Sequence, residues 1–327
     1  MNRLPLRAVM GLLGSVAAIT AFAQSPGQGY PNRPVRVIVP FATGGPDTVA
    51  RLVGAHLAQA LGQPFVVENR PAANGIVGAD AVAKAAPDGY TLLVHSSGFV
   101  GAPAIYKKLP YDTVADFMPV TNLAANLGTF LVVHPSVPAN TVQEFIALAK
   151  KPESKISFSS PGIGNTLHLI GGLFNARAGI EMLHIPYKGG GPAIAAVVSG
   201  EVQAMFGSPQ IALPHIRASK IRALATTLPG RAPYMPEIPT MAEAGVADMV
   251  ADGGWFGMFA PAKTPNEIVN RLHEEVRKAL ADPAIREKLN TFGLGPMGDP
   301  PAAFKVFVAD EIKKYAEMAR LAGIQPE

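Results

Sequence analysis

No cysteine occurs among the 327 residues, so disulfides and thiolate-held metals are both excluded. The formal charge is only +4 and no basic run adds to it, so the electrostatic footprint of a nucleic-acid binder is missing. No G-x-x-x-x-G-K-[ST] occurs, which removes the phosphate loop of ATPases. No G-x-G-x-x-G occurs either, because Gly162-x-Gly164 continues with Leu167 where a third glycine would stand. His273-Glu274-Glu275-Val276-Arg277 begins like a zinc-protease helix but lacks the second histidine. Ser160 and Ser208 sit in no G-x-S-x-G elbow. Neither a metal nor a cofactor is expected.

Long apolar runs are confined to the N-terminus. Arg3 and Arg7 precede an apolar stretch from Ala8 to about Phe22, closed by Ala21-Phe22-Ala23. This pattern reads as a secretory signal peptide, residues 1–23, cleaved after Ala23. The alternative is an N-terminal membrane anchor, for which the stretch is short. Its removal takes the formal charge to +2. An exported, cysteine-free chain of roughly 300 residues suits a bacterial periplasm and would divide into two domains.

Val35, Val37 and Val39 alternate with Arg36 and Ile38 as a buried strand. Val49, Leu52, Val53, Leu57, Ala60 and Leu61 then recur at helical spacing. A strand over 64–68, a helix over 75–86 and a strand over 90–95 complete a βαβαβ unit, which implies parallel pairing. The alternation restarts with strands expected over 129–134, 155–160, 181–187, 202–208 and 222–227. Thr141-x-x-Glu144 and Thr264-Pro265-Asn266-Glu267 read as capping boxes. The tail reads as helical, without strands, with Ile268, Leu272, Val276 and Leu280 on one face. The expected architecture is α/β and two-lobed. Residues 24–126 and 254–327 form a discontinuous first lobe and 127–253 the second, each a mostly parallel sheet flanked by helices. Two crossings make the hinge.

Two Gly-rich turns leave strand ends and enter helices: Phe41-Ala42-Thr43-Gly44-Gly45-Pro46-Asp47 and Ser160-Pro161-Gly162-Ile163-Gly164-Asn165-Thr166. Glycine permits close ligand approach, and freed N–H groups at a helix start attract an anion without any cationic side chain. A carboxylate fits such a turn, with Thr43, Ser160, Asn165 and Thr166 as side-chain donors. The simpler alternative is that Asp47, Asn165 and Thr166 cap helices. Ser97 and Ser208 end strands at the expected cleft edge. The expected ligand contacts are therefore Phe41, Ala42, Thr43, Gly44, Gly45, Asp47, Ser97, Ser160, Gly162, Gly164, Asn165, Thr166 and Ser208. Lys188 beside Gly189-Gly190-Gly191, and Ser96, are further candidates, while the lone Trp255 reads as hinge packing. A catalytic reading would need a nucleophile–base pair, and His168 near Ser160 is the one candidate.

A set of motifs spans nearly all the chain after the leader. They include Pro40-Phe41-x-x-Gly44-Gly45, Val67-Glu68-Asn69-Arg70, Asp88-Gly89-Tyr90-Thr91-Leu92, Tyr106-Lys107-Lys108-Leu109-Pro110-Tyr111-Asp112, Gly162-x-Gly164-x-Thr166-x-His168-Leu169, Pro186-Tyr187-Lys188-Gly189 and Trp255-Phe256-Gly257-x-Phe259-Ala260-Pro261. In these the sequence resembles the exported substrate-binding receptors of tripartite tricarboxylate transporters, the Bug receptors. The resemblance implies a Venus-flytrap periplasmic binding protein, type II-like, that is monomeric and no enzyme. It implies a small carboxylate ligand, held by the two Gly-rich loops with ordered water, and membrane subunits of a transporter as partners. Uptake and ligand sensing for a signalling partner both remain open. Four departures stand out. Pro46 alone separates the glycine pair from Asp47, where the family has two residues. Ala102-Pro103 replaces Asn-Pro, Gly172 stands at an acidic position, and Gln203 replaces an aspartate.

Overall fold

The computed structural model describes residues 29–326, so the expected signal peptide lies outside the described residues. Two mixed sheets organise the chain. The first contains β1 (Val35–Val39), β2 (Phe65–Asn69), β3 (Thr91–Ser96), β4 (Phe117–Asn126), β10 (Trp255–Pro261) and β11 (Leu294–Pro296), in the order β11-β4-β10-β3-β1-β2. The second contains β5 (Phe130–Val133), β6 (Ser157–Ser160), β7 (Leu183–Pro186), β8 (Ala204–Gly207) and β9 (Arg222–Thr226), in the order β7-β6-β8-β5-β9.

Both sheets follow one plan. β5 and β10 are the strands that follow the two crossings between lobes. Each inserts antiparallel, β10 between β3 and β4, β5 between β8 and β9. The βαβ units supply parallel pairs, β2-β1-β3 and β7-β6-β8. The sheets are therefore mixed rather than mostly parallel, because each crossing brings the chain back in the opposite direction.

The first sheet is buried on both faces. Val35, Val37 and Val39 face a core that also holds Val49, Val53 and Leu57 of α1 (Gly45–Leu61) and Ile268, Leu272, Val276 and Leu280 of α8 (Asn266–Ala281). Ile38 and Leu93 face the opposite core, with Phe99 of α3 (Gly98–Ile105) and Phe304 and Tyr315 of α10 (Pro301–Leu321). This is the period-2 alternation of a strand seen from its two sides. Ala60, expected on the buried face of α1, is exposed. The second sheet packs against α4 (Val142–Ala149), α5 (Thr166–Ala178), α6 (Gly190–Val198) and α7 (Pro209–Arg217) over Phe145, Phe174, Ile194 and Leu213.

Other elements differ from the sequence expectation. The tail contributes a strand after all, β11, paired antiparallel with β4. β4 and β10 carry no clean alternation because β10 is buried along its whole length. At the N-terminus of α4 the box forms, with Thr141 Oγ1 accepting from Glu144 N at 3.1 Å. The second box does not: Thr264 Oγ1 turns back to donate to Pro261 O at 2.7 Å, and Pro265 rather than Thr264 precedes α8.

The crossings lie side by side. Asn126 N donates to Gly254 O at 2.8 Å, and Thr227, just after β9, bridges the two, its N donating to Thr129 O at 2.9 Å and its Oγ1 to Ala251 O at 2.7 Å.

Candidate functional site

The C-terminal ends of the parallel strands in both sheets meet in one cleft, where ligands bind in open α/β sheets. Five helices start there: α1, α3 and, from the second lobe, α5, α6 and α7. Their first residues, Gly44 and Gly45, Ser97, Asn165 and Thr166, Gly190, and Ser208 and Gln210, line a cavity of about 40 Å³. First-turn N–H groups have no intrahelical acceptor, and each helix start carries the positive end of its dipole. The wall is completed by Ser96, Asn126, Pro161, Trp255 and Phe256, among others, and no charged side chain belongs to it. Anion binding here would rest on backbone groups and hydroxyls alone.

The lobes are closed over this cavity. Ala42 N donates to Lys188 O at 2.9 Å, and Gly191 N donates to Thr43 O at 2.9 Å. These loops approach so closely that a Cβ at Gly44 would lie 3.4 Å from Gly190 N, and one at Gly191 would lie 3.0 Å from Thr43 O. Deeper in, the hydroxyls of Ser97 and Thr166 meet at 2.7 Å, and those of Thr166 and Tyr315 at 2.8 Å. This buried chain ties the first lobe, the second lobe and the last helix together.

Of the expected contacts, Phe41, Gly44, Gly45, Ser97, Asn165, Thr166 and Ser208 are brought together in the cavity wall. Ala42 and Thr43 form the closing rim through their backbones instead, and the Thr43 side chain is exposed. Gly162 lines a neighbouring space of about 210 Å³, which shares Phe41 and Pro161 with the first and also holds Lys188. Asp47, Ser160 and Gly164 line neither space. Asp47 is buried and accepts from Arg51 Nε at 3.0 Å and Asn69 Nδ2 at 2.9 Å, which fastens α1 to β2. Gly164 N donates to His168 Nδ1 at 3.1 Å, shaping the loop from behind.

Ser160 does meet a histidine, but it is His184, at 2.7 Å from Oγ, and not His168. The Ser160 hydroxyl also lies 3.0 Å from Gly162 O. His184 stacks on His168 with centroids 3.8 Å apart. Burial lowers His168 to about 4, and burial together with the neighbouring His168 lowers His184 to about 3. Imidazoles that hold protons so weakly are poor general bases near neutral pH. Ser160 is buried and lines neither space.

Asn126, Gln210, Gly190, Trp255 and Phe256 escaped the sequence reading as contacts. Trp255 both packs, with Nε1 donating to Glu311 Oε2 at 2.8 Å, and lines the cavity. Gly190 had a usable signal, since Gly189-Gly190-Gly191 is a third strand-to-helix turn. The departures at Ala102, Gly172 and Gln203 all lie off the cavity wall. Gln203 Oε1 accepts from Ser157 N at 3.0 Å and from its hydroxyl at 2.9 Å, and so joins β6 to the start of β8. Among the described residues no group of three His, Asp or Glu stands where it could share a metal ion, and no helix is long and apolar enough to cross a membrane.

Known proteins share this architecture. A family model described as "Tripartite tricarboxylate transporter family receptor" matches residues 49–324. The protein BugT of Bordetella pertussis is 36% identical over 327 residues, covering 99% of each chain. The solved periplasmic binding protein BugD is 34% identical with a TM-score of 0.86, covering 91% of this chain and all of its own. An R. palustris protein solved with adipate is 34% identical with a TM-score of 0.87, with the same coverages of 91% and 100%. With a two-sheet fold, a closed cleft of helix N-termini and matches along the whole described length, the chain belongs to the receptor family of tripartite tricarboxylate transporters.

Proposed function

We propose that this protein is a periplasmic solute receptor that binds a small carboxylate between its lobes and presents the closed form to membrane subunits of a transporter. The observation that carries the reading is the convergence of five helix N-termini on one cavity with no cationic side chain in its wall. Backbone N–H groups hold a carboxylate there, assisted by the hydroxyl of Ser208 and by that of Ser97, which keeps a free proton when Tyr315 donates to Thr166 and Thr166 to Ser97. Closure removes water and strengthens those bonds. The ligand favours the closed state because only there does it touch both lobes. The relatives solved with adipate and with malate support carboxylate as the ligand class.

The lobes divide near residues 127–129 and 251–254, and the crossings act as the hinge. The receptor works as a monomer without turnover; the side-chain contact of Ser160 with His184 lies off the cavity wall. Export by residues 1–23 places it in the periplasm.

The test is a thermal-shift screen of unfolded and refolded protein, freed of co-purified ligand, against small carboxylates. At about 100 times its dissociation constant a ligand adds about 2.7 kcal/mol. For a chain of this size that raises the melting temperature by roughly 5 °C. A selective rise with one acid is expected. No rise with any carboxylate contradicts the proposal.

A further inference from the structure

α10 packs on β4 and α3 of the first lobe, yet its last turn lies against the second. Phe304, Val308 and Tyr315 anchor it in the core that holds Ile38, Leu93 and Phe99. α5 is anchored in the other core by Ile170, Leu173 and Phe174. A seam runs between these two helices. Thr166, Leu169 and Gly172 recur every three residues on α5, and Tyr315, Met318 and Ala322 recur at three and four along α10 and its cap, so each row lies on one helix face. Thr166 and Tyr315 meet at 2.8 Å through their hydroxyls, Leu169 is fully buried in the core of the first lobe, and Met318 packs against both cores.

Two glycines build the far end of the seam. Gly323 takes φ +67, and there Gly323 N donates to Arg320 O at 3.1 Å and Ile324 N to Ala319 O at 3.0 Å. This Schellman turn folds Ile324 back beside its own helix. Gly172 supplies the space opposite: a Cβ there would lie 3.0 Å from Ala322 Cβ and 3.4 Å from Ile324 Cδ1.

The near end of the seam sits at the hinge, since Lys314 Nζ donates to Asp252 Oδ2 at 2.7 Å on the returning crossing. Ala322 lies two turns further along, roughly 10 Å at 1.5 Å per residue. Each helix is fixed in a different lobe, so rotation about the crossings must move one past the other. That displacement grows with distance from the crossings and is largest at Gly172.

We propose that Ala322–Ile324 is a latch, which seats in the notch at Gly172 when the lobes close and leaves it when they open. The proposal rests on the lobe closure read above and not on the chemistry of the ligand. The contact is apolar and lies off the cavity wall, so it stabilises the closed state without touching what is bound.

The chain has no cysteine, so an introduced pair gives one unambiguous crosslink. Two pairs are made, Gly172→Cys with Ala322→Cys and Gly172→Cys with Ile324→Cys. Disulfide Cβ atoms stand about 3.5–4.5 Å apart, within a small shift of this contact. Each protein is refolded free of co-purified ligand, and its oxidised and reduced forms are compared by small-angle X-ray scattering with no acid present. At least one pair oxidises, and oxidation brings the radius of gyration down toward the roughly 19 Å of a compact chain of about 300 residues, a change that reduction reverses. Superimposable oxidised and reduced curves overturn the latch alone if the unaltered protein still compacts on binding an acid: the seam then stays seated as a pivot. If the unaltered protein does not compact either, lobe closure falls with it. Two folded pairs that both fail to oxidise overturn the latch, because the ends then do not meet. Should neither pair fold, Gly172→Gln decides. It fills the notch and should leave the chain less compact than the unaltered protein when both are saturated with the acid that gives the largest thermal shift; equal radii overturn the latch.

Discussion

Gly191 N donates to Thr43 O at 2.9 Å, joining the start of α6 in one lobe to the loop before α1 in the other. A Cβ at Gly191 would fall 2.4 Å from Thr43 Oγ1 and 3.0 Å from Thr43 O. The bond exists because the position has no side chain. Gly191→Val should therefore hold the lobes apart without unfolding either, as Gly191 lies in a helix and has no left-handed φ to preserve. We expect affinity for the cognate acid to fall by about tenfold or more, about 1.4 kcal/mol. The ligand-free melting temperature should stay within about 3 °C. Titration calorimetry and thermal melts read the two separately.

Thr166 carries the middle hydroxyl of the Ser97–Thr166–Tyr315 chain. Thr166→Val keeps the shape and removes the oxygen. Ser97 and Tyr315 then lose a partner on closure, which costs the closed state on the order of 1–3 kcal/mol. The ligand dissociation rate, measured by stopped-flow displacement, should rise by roughly tenfold or more. An unchanged rate would show that the hydroxyl chain does not hold the lobes together.

Asp47 separates a structural carboxylate from a binding one. Its Oδ1 accepts from both Arg51 and Asn69, and it lies off the cavity wall. Asp47→Ala should lower stability by about 1–3 kcal/mol, since Asn69 loses an acceptor. It should leave the dissociation constant within about threefold, a difference below about 0.7 kcal/mol. A large loss of affinity at unchanged stability would return Asp47 to the site.

Much of this site was legible in the sequence because glycine turns between a strand and a helix are local patterns. Phe41, Gly44, Gly45, Asn165 and Thr166 line the cavity where those turns put them, while Ala42 and Thr43 do not. The closing contact was not legible. Thr43 and Gly191 are far apart in the chain, and each turn looks complete alone. Asn126 and Gln210 are single amides in segments with no motif, so only the three-dimensional wall reveals them. β10 was hidden for another reason: a strand buried on both faces loses the alternation that marks a strand. The pairing of Ser160 with His184 instead of His168 follows from β6 and β7 lying side by side, in register at Ser160 and Pro186.

Three buried histidines give stability a pH dependence above the carboxylate range. Burial lowers His95 to about 4 and His168 to about 4, and burial with the adjacent His168 lowers His184 to about 3. The unfolded chain takes up these protons as pH falls through about 6.5, while the folded protein does not. Stability is therefore full above about pH 6.5 and declines as pH falls toward the folded values. Between pH 7 and pH 5 the loss is on the order of 2 kcal/mol per histidine. Carboxylates held low, such as Asp112 with the N–H groups of Ala115 and Val114, lose their contribution only below their ordinary range of about 4. Urea melts at pH 7 and pH 5 should show the decline, and His168→Gln with His184→Gln should reduce it. Equal midpoints at the two pH values for the unaltered protein would contradict it.

Closure of the two lobes by a small carboxylate over a cavity of helix N-termini makes the chain more compact. Small-angle X-ray scattering of the ligand-stripped protein tests it directly, with and without the acid that gives the largest thermal shift. The expected ligand-free radius of gyration lies above the roughly 19 Å of a compact chain of about 300 residues and falls toward that value on saturation. Superimposable curves with and without an acid that demonstrably binds would contradict it.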